Sequence, residues 1–187
     1  MPLSNEDIER YARQIVIPGI GASGQEALLA ATVAVVGDEA GVEQVELYLR
    51  AAGPRVVRDM ESATGAVVVA GVSSIDDRTR ERILRSGVPA LWYELTGRGF
   101  VCGVHPDARL EEAATSRRAA DDGTRATQHV ATRDDATTST QHRAPADDDA
   151  VRSLLHRVAA CDAAAAACAV ILRLPFRSGR QTVDVLG

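Results

Sequence analysis

The amino-acid sequence predicts an α/β fold built on a mainly parallel sheet. Two compact apolar runs, Thr32 to Val36 and Ala66 to Val72, are β-branched and closed by glycine or serine. Runs of that length and composition are how strands buried on both faces read. Segments with helical spacing separate them, and strands alternating with helices imply crossover connections and a mainly parallel sheet.

Each element follows from local chemistry. Ser4 is a good N-cap, and Glu6 and Asp7 suit the positive end of a helix. Ile8, Tyr11, Ala12 and Ile15 recur at helical spacing until Pro18 and Gly19 end the element. Ser23 caps a second short helix, Gln25 to Ala31. Strand Thr32 to Val36 is followed by a loop, then by a helix from Glu43 to Ala52 that Gly53-Pro54 stops. Arg55 to Val57 reads as a short strand, Asp76 to Arg85 as a helix with Ile83 and Leu84 inward. Ala90 to Tyr93 and Phe100 to Val104 read as further strands. Between Asp107 and Asp149 large apolar residues nearly vanish. Such a tract cannot bury enough surface to offset its ordering entropy, so it is expected to be a disordered linker, in the simplest case a tolerated insertion. Order resumes at Ala150, with Val151, Leu154, Leu155, Val158 and Cys161 on one helical face and a last strand at Thr182 to Leu186. The expected organisation is residues 1–106 as the domain, 107–149 as the linker, and 150–187 as a helix and strand completing the domain.

The 187 residues suffice for one modest domain. With 45% hydrophobic residues but 3% aromatics, its core must be aliphatic. The net charge of -5 argues against a nucleic-acid surface. All 21 positive charges are Arg, so no lysine is present to neutralise a phosphate. Cys102, Cys161 and Cys168 form no C-x-x-C pair, and a structural zinc site is not expected. The polar N-terminus carries no apolar signal region, and the run Ala163 to Leu172 is too short to span a bilayer. A soluble, cytoplasmic chain without membrane or nucleic-acid partners is expected.

The front of the chain carries a motif combination: Arg10-Tyr11-Ala12-Arg13-Gln14, then Gly24-Gln25-Glu26, then a strand ending at Val36-Gly37. With Leu47 to Gly53, and more loosely Ala66 to Ile83, it resembles the ThiF/MoeB/HesA family of E1-like activating enzymes. The resemblance covers about two thirds of the chain and is specific only at the front. It implies a shortened, Rossmann-like E1-type domain with an N-terminal helical pair.

The same resemblance implies sites. In the family the first strand leads into a glycine-rich phosphate loop. Here Glu39, Ala40 and Val42 stand where glycines are expected, leaving Gly37 and Gly41 as cofactor-binding candidates. Asp38, Glu39 and Glu43 would repel a triphosphate. Ser73 stands where the family places a magnesium-binding Asp. Residues 54–65 are too few for the family's ribose-binding acid and its phosphate-gripping Arg and Lys. Arg13 matches an arginine that reaches a neighbour's ATP site in family dimers, and is the catalytic candidate; its plainer reading is a solvated helical arginine paired with Glu9. Cys102 is expected as a small buried hydrophobe in a strand, and Cys161 and Cys168 as core. His105 with Asp107 has a weak look of metal ligands, while His129 and His142 fall in the linker; no metal site is expected.

The function so implied is a degenerate, non-ATP-binding pseudoenzyme, serving as partner or scaffold for an active adenylyltransferase. No cofactor is expected, or ATP with magnesium should the site work. The expected partner is a second copy or an E1-like paralogue, with a ubiquitin-like or sulfur-carrier protein besides. The alternatives are an active adenylyltransferase of such a carrier's C-terminus, or a small nucleotide-binding Rossmann module; the sequence leaves enzyme status open.

Overall fold

The computed structural model describes residues 2–97, 99–105, 145–175 and 181–184. Helix α1 (Asn5–Ile15) opens with a reciprocal cap: the Ser4 hydroxyl accepts from Asp7 N–H and the Asp7 carboxylate accepts from Ser4 N–H. Helix α2 (Gly21–Ala30) follows, and the pair sits over the C-terminal end of α3 (Glu39–Ala52). Two glutamines fasten it there. Gln14 donates to the Ala51 carbonyl at 3.1 Å and Gln25 to the Ala52 carbonyl at 3.0 Å, which satisfies carbonyls that the helix end leaves without partners. Tyr11, Gln25 and Leu28 are buried.

Strands β1 (Thr32–Gly37), β2 (Arg55–Val57), β3 (Ala66–Ala70), β4 (Ala90–Leu95), β5 (Gly99–His105) and β6 (Gln181–Asp184) form one sheet in the order β2-β1-β3-β4-β5-β6. The first three pairings are parallel and the last two antiparallel. The α/β class therefore stands, while the mainly parallel Rossmann-like sheet is corrected to a mixed one. The cause is local: only residues 96–98 join β4 to β5, and Thr96 closes the turn through its own amide and hydroxyl with Gly99. A parallel pair needs a crossover of a dozen or more residues.

The sheet is covered on both faces. On one, Val33, Val35, Ala66, Val68, Leu91 and Tyr93 pack against α3 and the long helix α5 (Pro145–Ile171). On the other, Ala34, Val67, Val69 and Trp92 pack against Ile83 of α4 (Asp77–Arg85) and the turns carrying Met60, Val72 and Ile75. Strand β3 is buried at every residue, as its unbroken apolar run requires.

Two helices depart from expectation. Helix α3 starts at Glu39 rather than Glu43, because Asp38 caps it by accepting from Gly41 N–H at 3.2 Å. The stretch read as a loop is thus the helix's first turn. Helix α5 begins at Pro145, and its inward face is Leu155, His156, Ala159, Ala160, Ala163 and Ala167. Leu154, Val158 and Cys161, expected inside, are exposed. Small alanines win the inner face because they let the helix lie close to the sheet. From Asp149 to Ile171 this helix is long and apolar enough to cross a membrane by length and composition, unlike the shorter run marked in the sequence; its alanine stripe lies in the core. The remainder of the expected linker, 107–144, lies outside the described residues, as do Asp107, His129 and His142.

Candidate functional site

The chain leaves β1 to one side, toward β2, and returns on the other as β3, so the strand order reverses between them. In open α/β sheets ligands bind in the crevice outside the strand ends at such a point. Here that crevice is packed with the protein's own groups. Gly37 ends β1 at φ 124°, and a β-carbon there would stand 2.0 Å from the Ala70 carbonyl oxygen. The same oxygen accepts from Asp38 N–H at 2.7 Å. Gly41 is equally confined: its β-carbon would meet Tyr93 Oη at 2.4 Å and His156 Nδ1 at 3.2 Å. Both candidate glycines are explained by close packing of β1, β3, β4, α3 and α5.

Asp38, half exposed, lies beside nearly buried His156, with Oδ2 and Nε2 3.6 Å apart. That is too long for a good hydrogen bond, and it is an ion pair only when the imidazole is protonated. Burial holds the His156 imidazolium disfavoured, so its pKa lies below the ordinary value; Asp38 and Glu94 oppose the shift and Arg152 adds to it. The Tyr93 phenol is raised by burial and by the Asp38 and Glu94 charges. Tyr93 Oη and His156 Nδ1 are buried without a hydrogen-bond partner among the described residues.

The other expected site residues are scattered. Ser73 lies on the turn after β3, where its amide and hydroxyl donate to Glu94 at 2.8 and 3.1 Å. Arg13 is exposed in the last turn of α1 and makes no ion pair with Glu9. Glu39 is engaged by Arg58, which also binds Glu46. Arg58 lies in the 54–65 stretch, and its guanidinium is engaged by α3's own carboxylates. Reading by sequence missed Arg58, Tyr93, Glu94 and His156; the one signal was a histidine set one residue after Leu155 among alanines. Among the described residues no three His, Cys, Asp or Glu side chains are grouped to hold a metal ion.

An open cavity lies elsewhere. A cleft of about 330 Å³ runs between α5 and strands β4–β6. Leu91, Val104, Ala166 and Ala169 give it apolar walls; Cys102, Asp162 and Gln181 are its polar side chains. The half-buried Cys102 thiol donates to the Asp162 carboxylate at 3.5 Å. Burial, with that carboxylate adding to it, pushes the Cys102 pKa up to about 12, so the thiol stays protonated at neutral pH.

No family model matches the chain, and no curated protein matches it. Among solved structures, the chain is similar to selenomethionine PaaA, with a TM-score of 0.54 and 15% identity over 95% of this chain and 79% of that one. It is also similar to a heterocyclase in complex with substrate and cofactor (TM-score 0.45, 17% identity, 94% and 24% covered) and to the heterocyclase TruD (TM-score 0.44, 16% identity, 89% and 24% covered). At these identities the PaaA likeness speaks to the fold alone.

These findings correct the family expectation. PaaA, the neighbour whose likeness bears on the fold, is not described as a ThiF-, MoeB- or HesA-type activating enzyme, and no family model matches the chain. The E1-like assignment is withdrawn, and with it the degenerate partner or scaffold, the active adenylyltransferase and the nucleotide-binding Rossmann module. The physical reason lies in the motif residues themselves. Tyr11 is core, Gln14 and Gln25 tie helices to α3, and the supposed phosphate loop is a capped helical turn.

Proposed function

We propose that the protein is a ligand-binding α/β domain whose binding site is the cleft between α5 and β4–β6. The observation that carries this is the cleft's make-up: about 330 Å³ of mostly apolar wall with three polar side chains on it. Small-molecule sites have that volume and that pattern, an apolar body for affinity and few polar groups for orientation. Binding rather than turnover is favoured because the neutral Cys102 thiol is a poor nucleophile. The strand-end crevice supports no competing site for a triphosphate, since the Asp38 carboxylate occupies the capping position at the N-terminus of α3.

The test is a small-molecule screen on the full chain by thermal shift, repeated on Ala166→Leu, which would fill the cleft from α5. Trp92, the chain's single tryptophan, is among the lining residues and offers a fluorescence readout. Ligands should shift the wild type and lose their effect in Ala166→Leu, with the unliganded melting temperature little changed. Ligands that bind both proteins equally well would place the site elsewhere.

A further inference from the structure

We propose that this cleft selects ligands carrying a cationic amine head on a small apolar body. The inference rests on the ligand-binding reading above and gives it a chemical class. Asp162 is the one charged residue among those lining the cleft, and no described Arg or His joins it. Its only hydrogen bond among the described residues is the one it accepts from Cys102, at 3.5 Å. A carboxylate has about four acceptor sites, and a thiol is a weak donor that fills one of them. Asp162 is exposed, and none of the described residues that line the cleft sets a cation beside its remaining acceptor sites. An ammonium group brings three donors and the missing charge, and charge-assisted hydrogen bonds of that kind are the strong ones.

The rest of the cleft fixes the body of the ligand. Ala165, Ala166 and Ala169 offer small side chains along α5, facing Leu91 and Val104 of the sheet. That surface presents methyl groups and no charge, so it suits an aryl or short alkyl group. A carboxylate or phosphate ligand would meet Asp162 and find no arginine among the described residues that line the cleft. The overall charge of -5 adds a field of the same sign.

The experiment uses the full chain and three probes sharing one skeleton: phenethylamine, phenethyl alcohol and phenylacetate, titrated by calorimetry near neutral pH. The amine should bind about tenfold or more tighter than the alcohol, the scale of one charge-assisted contact, and phenylacetate should bind weakest. Asp162→Asn keeps the shape and removes the charge, so it should bring amine and alcohol to the same affinity. Salt should weaken the amine and leave the alcohol unchanged. Equal binding of amine and alcohol to the wild type would overturn the amine preference while leaving the cleft a ligand site. Binding of none of the three would overturn both readings.

Discussion

His156 Nε2 lies 3.6 Å from Asp38 Oδ2, and this one contact joins the long α5 helix to the cap of α3. Asp38 therefore serves two elements at once. Asp38→Ala should cost about 1 kcal/mol through the lost cap, with a further loss from the contact to His156. Asp38→Asn keeps a good cap and removes the charge, so it should lie between wild type and Ala. Urea unfolding of the three proteins checks the order; equal stability of Asn and Ala variants would show that the charge, and not the cap, is what matters.

The same pair predicts a pH dependence. The folded-state pKa of His156 is lowered from 6.5, chiefly by burial, so the unfolded chain binds its proton more readily. Its contribution is fully present above 6.5 and is lost as pH falls through the lowered folded value. Facing groups of both signs are included in that balance: Asp38 on the α3 cap, Glu94 and Tyr93 on β4, and Arg152 on α5 itself. Melting temperature should hold steady above neutrality and fall toward about pH 5, before most carboxylates titrate. In His156→Gln the slope in that window should flatten, whatever the starting stability. An unchanged slope would remove His156 as its source.

Two glycines separate packing from conformation. Gly37→Ala places a methyl 2.0 Å from the Ala70 carbonyl at φ 124° and should cost about 2 kcal/mol or more. Gly21→Ala, at φ 62° with open space around it, should cost about 1 kcal/mol from backbone strain alone. Chemical denaturation measures both; equal losses would mean that the β1–β3 approach can relax.

The alanine stripe of α5 predicts asymmetric tolerance. Ala160 is fully buried against the sheet, so Ala160→Leu should destabilise by about 1–3 kcal/mol through overpacking. Cys161→Ala, one residue further on, is exposed and should change stability by less than about 0.5 kcal/mol. A silent Ala160→Leu would show α5 seated more loosely than its contacts indicate.

Much of the fold was legible in the sequence because its signals are local. The strands at Thr32 and Ala66, the cap at Ser4 and the stop at Gly53-Pro54 depend on residues within a few positions of each other, and all stand near where they were expected. The direction of β5 was also written there, in the three-residue link after Leu95, though periodicity alone does not express it. The helical face of α5 was not legible: a stripe of alanine carries little hydrophobic contrast, so the larger Leu154 and Val158 mark the wrong side.

What the sequence determined by itself was an aliphatic α/β domain with its strands and most helices in order, because burial pattern and capping act over short range. What only the tertiary structure decided was the meaning of the polar residues. Gly37 and Gly41 look like a worn phosphate loop until Ala70, Tyr93 and His156 are brought against them from elements 29 to 115 positions away. Cys102 and Asp162, likewise, share a cleft only because β5 pairs with β4 and α5 lies across both. Such contacts are set by the packing of distant elements, and no local pattern along the chain encodes them.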